Sequence, residues 1–130
     1  MVATTLYAGI LALGFALLSV RVIRERRSGV ADLGDGGDVG MLRKIRAHAN
    51  FAEYVPLILV LMALVEAGGA SPIVVHAIGC ALVLGRILHG YAFSFSSGSP
   101  VGRVAGTALT LSALLVSGTL CLAQAFQQLS

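Results

Sequence analysis

Apolar residues run along this chain in four long blocks, each parted from the next by a short polar stretch. The first, Val2 to Val20, is nineteen residues without a charged side chain; at helical rise it spans about 28 Å, enough to cross a hydrocarbon layer. Gly9 and Gly14 inside it suit close helix contact. It runs into Arg21-Val22-Ile23-Arg24-Glu25-Arg26-Arg27, a basic collar suited to lipid headgroups, so the spacing predicts a helix over 2–27. Residues 28–40 hold five glycines and three aspartates and read as a turn-rich loop. The next apolar run, Tyr54 to Val65, grows without a break out of a basic segment, predicting one helix over 41–67. Pro56 removes a backbone donor there and is expected to bend it. Turns at Gly68-Gly69-Ala70-Ser71-Pro72 and Ser96-Ser97-Gly98-Ser99-Pro100 then delimit helices over 72–95 and 101–127. The pattern predicts an all-α fold: an integral membrane four-helix bundle, one domain over 1–130.

Composition agrees with that solvent. At 57% hydrophobic and 12% charged residues, with a mean hydropathy of +0.91, the chain has more apolar surface than one small water-soluble core can hide. The net charge of +3 changes meaning once it is located, because seven of nine Lys and Arg residues lie between Arg21 and Arg46. That is the positive-inside pattern, not a nucleic-acid footprint; it puts loop 28–40 in the cytoplasm and both termini on the outer, periplasmic side. No basic region precedes the first apolar block, which is also longer than a signal peptide's, so it is expected to stay as a span. Gly34-Asp35-Gly36-Gly37-Asp38 lacks the Gly-Lys-Ser/Thr end of a phosphate loop, and the aspartates lack calcium-loop spacing. Cys80 and Cys121 read as small packing residues, and no metal site is expected.

The candidate chemistry lies where charge enters the apolar blocks. Arg46, Asn50 and Glu53 sit at i, i+4 and i+7 and share one stripe of the second helix. A carboxylate at that depth is costly in lipid, so the stripe is expected to face protein or water. Counting places Glu53 about 13 Å and Arg86 about 15 Å from the cytoplasmic ends of antiparallel helices, which predicts a Glu53–Arg86 ion pair. Pinning helix 2 to helix 3 is the plain role for such a pair. Arg46, Asn50, Arg86, His89 and Arg103 together suit a small anion bearing carboxylates, and a thiol held among them would ionise more readily. His89 shares the Arg86 face, to orient a ligand or to serve as a satisfied structural histidine. Arg103 is either a headgroup anchor or a ligand binder. Tyr91 points about 140° away from Arg86, against a shared cavity. His48 and His76 read as interfacial, and Glu66 as solvated.

Arg46-Ala47-His48-Ala49-Asn50-Phe51-Ala52-Glu53 followed by Pro56 resembles the second-helix signature of the MAPEG family, the membrane-associated proteins in eicosanoid and glutathione metabolism. Gly85-Arg86, His89 and Arg103 fit the same pattern in order and spacing, and with the Gly/Asp loop the likeness is to the short bacterial branch. The resemblance implies a homotrimer in the bacterial inner membrane with sites between subunits on the cytoplasmic side. It implies glutathione as the cosubstrate, held by Arg46, Asn50 and Glu53 with Arg86 paired to Glu53. Arg103 would be the catalytic group stabilising the thiolate, with Arg21 or Arg24 completing the site and membrane-borne lipophilic molecules as second substrates. Ala49 and Phe93 depart from the arginine and tyrosine of several glutathione-using members. A non-catalytic trimer or a lipophile- or anion-binding protein, its polar stripe serving packing, is the alternative. A transporter is a third reading, against which Glu53 is the lone deep acid.

Overall fold

The computed structural model describes residues 1–94 and 100–129, which form α1 (Val2–Arg27), α2 (Val39–Ala67), α3 (Pro72–Ser94) and α4 (Pro100–Leu129). All four are long and apolar enough to cross a membrane. The expected end of the third helix at residue 95 and the turn at 96–99 lie outside the described residues. The second helix begins before Met41 because Asp38 caps it, its carboxylate accepting from Met41 N at 2.6 Å. It continues through Pro56 without interruption. Lys44 and Glu25 form an ion pair that closes α2 against α1 beside the loop. Arg26 belongs to the loop itself, its Nη1 donating to the carbonyl of Asp32 at 2.8 Å.

Helices α2 and α3 form the middle of the bundle; α1 packs on both, and α4 packs on the same two from another side without touching α1. The core they share runs through Leu11, Phe51, Val55, Ile58, Met62, Val75 and Leu82. Where α3 crosses α4 the contact is backbone to backbone: a Cβ added at Gly106 would lie 2.7 Å from the Gly85 carbonyl oxygen and 2.7 Å from His89 N. Small residues permit this approach, which draws helices together by dispersion where lipid offers no hydrophobic contrast. The crossing lies one turn from Thr110 and beside Arg86 and His89, so it sets the geometry of the polar groups described below.

At the opposite end, Glu66 departs from the solvated role expected of it. Its carboxylate accepts from the backbone N–H of Ala3 at 3.0 Å and of Thr4 at 2.9 Å. These are orphan donors of the first turn of α1, which has no capping side chain of its own. A residue on α2 therefore finishes α1.

Candidate functional site

Arg86 is the deepest cation of the bundle, only 6% exposed. Its guanidinium spans three helices: Nη1 donates to Asn50 Oδ1 on α2 at 2.7 Å and Nη2 to Thr110 Oγ1 on α4 at 2.6 Å. Thr110 donates onward to the Gly106 carbonyl at 2.8 Å. The expected Glu53–Arg86 ion pair does not form in the chain. Glu53 lies one turn beyond Asn50 and is exposed, and no ion pair joins the two among the described residues. A neutral amide and hydroxyl occupy the two terminal nitrogens, so the guanidinium is hydrogen-bonded without burial of a carboxylate. Because a guanidinium only donates, Asn50 must turn Oδ1 toward Arg86. Its NH2 group is left without a partner among the described residues, so Asn50 has two donors to offer a ligand.

Arg46 and Glu53 both stand exposed on α2, and no hydrogen bond or ion pair ties either to the rest of the chain among the described residues. The stripe is therefore not turned into the bundle. Asn50, at its edge, is the member that reaches the interior.

A second group forms between α3 and α4. His89 is 7% exposed, and neither ring nitrogen has a partner among the described residues. Its ring lies 4.8 Å from that of Phe93, and the guanidinium carbon of Arg103 stands 5.6 Å from the same Phe93 centroid. His89, Phe93, Arg103 and Thr107 line an open groove of about 540 Å³. Phe93 thus carries Arg103 on its π face. A further groove of about 320 Å³, between α1 and α3, is lined by Arg21, Phe51, Arg86 and Tyr91 among apolar residues. Tyr91 does share a cavity with Arg86, contrary to the angular argument, because Gly14 and Gly90 leave the space between the helices open along several turns. Of the two helix-1 candidates it is Arg21 that lines this groove.

The other histidines join helices. His48 stacks on Phe15 at 4.6 Å and meets Ser19 Oγ at 3.1 Å, joining α2 to α1. His76 meets the Tyr7 hydroxyl at 3.1 Å. Thr110 is the residue that sequence reading left out; its signal was a hydroxyl one turn after Gly106 in an apolar run. Phe93 was legible only as a departure from tyrosine, not as the ring beneath Arg103.

The model of the MAPEG family matches residues 4–123. The chain belongs to the MAPEG family. Among MAPEG relatives, Inner membrane protein YecN of Escherichia coli K12 is 39% identical over 90 residues, covering 69% of each chain. The protein of the same name from Escherichia coli O6:H1 matches with the same identity and coverage. For this MAPEG chain the Arg86 knot and the exposed α2 stripe are thus features of a membrane bundle.

Proposed function

We propose that the chain is a glutathione-dependent transferase or peroxidase acting on lipophilic electrophiles or peroxides, working as a homotrimer in the bacterial inner membrane with loop 28–40 in the cytoplasm. The observation that carries this reading is the pair of opposite charges, Arg46 and Glu53, exposed on one face of an apolar helix. Charges so placed are tenable when protein or a polar ligand covers them. An adjacent subunit with glutathione between supplies both.

The donor set fits that tripeptide. Arg46 binds a carboxylate by its fork, the NH2 of Asn50 donates to a carboxylate or carbonyl oxygen, and Glu53 accepts from an ammonium group. Arg86 acts as a positioning residue, fixing the Asn50 amide. Glutathione supplies a thiol nucleophile when bound. Arg103, exposed on the Phe93 ring, contributes the positive charge that favours thiolate over thiol, and His89 orients the bound ligand from the same groove.

Calorimetric titration of the detergent-solubilised protein with glutathione tests this. Wild type binds; Arg46→Ala loses at least about tenfold in affinity, the loss of one charge-assisted contact. Arg103→Ala keeps binding but loses the ultraviolet thiolate signal and conjugation of a model electrophile. No binding by wild type refutes the proposal. A second reading, a non-catalytic trimer, draws support from the two hydrogen bonds by which Arg86 ties Asn50 on α2 and Thr110 on α4 to α3. It predicts trimers without turnover.

A further inference from the structure

Gly79 makes room for a ring that gathers three reactive groups. Tyr7, buried on α1, lies so close that a Cβ at Gly79 would overlap its ring. Seated there, the phenol oxygen is 3.1 Å from Nδ1 of His76 and 3.1 Å from Sγ of Cys80. The His76 carbonyl is a further acceptor at 3.2 Å. His76 and Cys80 are one helical turn apart on α3 and share a face. Both are exposed, whereas the phenol between them belongs to a buried residue. The cluster lies toward the α2–α3 turn, away from the α3–α4 groove, and uses none of the residues assigned to glutathione.

We propose that Cys80 is a nucleophilic thiol, deprotonated through Tyr7 to His76, that forms covalent adducts with lipophilic α,β-unsaturated carbonyl compounds reaching it from the bilayer. With the His76 proton on Nε2, Nδ1 accepts the phenolic proton while the phenol oxygen accepts the thiol proton. Tyr7 thus ends as it began, and one proton has moved from sulfur to imidazole. The sulfur electron pair forms a C–S bond at the β-carbon, the π pair of the C=C bond shifts to the α-carbon, and the proton held by His76 passes there. The addition is complete without a leaving group, an oxidant or a second thiol. A thiol in apolar surroundings without such a route stays protonated and inert. Cys121 is the internal contrast, its Sγ directed at the Leu61 carbonyl at 3.5 Å. Exposure of Cys80 on an apolar helix surface selects electrophiles that partition into lipid.

Full-length protein in nanodiscs, treated with cinnamaldehyde and mapped by mass spectrometry, provides the test. Cys80 should gain the adduct at least about tenfold faster than Cys121, a margin set below the roughly hundredfold low end of general acid–base assistance. Tyr7→Phe keeps the ring and removes the relay; it should slow Cys80 by about tenfold or more and leave Cys121 unchanged. His76→Gln, at an exposed position, should give the same loss and decides the matter if Tyr7→Phe disturbs the fold. Equal rates at the two cysteines, or a Cys80 rate indifferent to both substitutions, would overturn the proposal.

Discussion

At the scale of single residues, Arg86 shows how a guanidinium is kept in a membrane bundle with no acid paired to it among the described residues. Two neutral acceptors hold its terminal nitrogens, and each bond to a charged donor contributes about 2 kcal/mol. Thr110→Val, nearly isosteric, should therefore destabilise the protein by about 2 kcal/mol, and Asn50→Ala by a similar amount, in reversible unfolding by mixed micelles. Because both partners serve one group, their effects should be non-additive by at least about 0.5 kcal/mol in a double-mutant cycle. Strict additivity would mean that the two bonds are not one knot. The sequence made Arg86 legible as a paired, buried cation but named the wrong partner. Counting residues fixes depth along a helix to about a turn, or some 5 Å, which is the separation between Asn50 and Glu53. It cannot say which side chain on a stripe turns inward. Thr110 was hidden for another reason, since its role depends on how closely α4 approaches α3.

The helices themselves were read well, since length and hydropathy in the primary structure decide a membrane span. Their ends and seams were less legible. Asp38 caps α2 and starts it two residues before the expected Met41, within the stretch read only as a turn-rich loop. The α3–α4 seam follows from Gly85 and Gly106 only once the crossing point is known. Gly106→Ala places a methyl group against the Gly85 carbonyl and the His89 backbone, atoms that cannot rotate away. It should cost about 1–3 kcal/mol and part the two helices, read as increased hydrogen exchange along α3. Glu66 capping α1 had no local signature, because its partners lie 62 and 63 residues away. Glu66→Ala should raise exchange at the amides of Ala3 and Thr4 and lower stability by about 1 kcal/mol, the usual cost of a lost cap.

On the scale of the whole molecule, a bundle with α1 and α4 held apart by α2 and α3 leaves the Arg46–Glu53 face uncovered. If a neighbouring copy covers it, Glu53→Leu should change the oligomer distribution in native mass spectrometry without lowering helix content. An unchanged distribution would place that face outside the subunit contact. The proposed orientation, with loop 28–40 in the cytoplasm, rests on the charge bias and is checked at the loop. With Cys80 and Cys121 replaced, Ser28→Cys should react with a membrane-impermeant maleimide only after the cells are opened. Labelling of intact cells would invert the topology.

The carboxylate that Glu66 lends to the start of α1 also bears on how the chain is assembled. As translation proceeds, the leading amides of the first helix find no acceptor within the protein until the closing turn of the second has been made, 63 residues later for Ala3. The smallest insertion unit with a finished beginning is thus a helical hairpin. Stalling synthesis between α1 and the last turn of α2 should leave the first turn of α1 frayed, and release past that point should seal it.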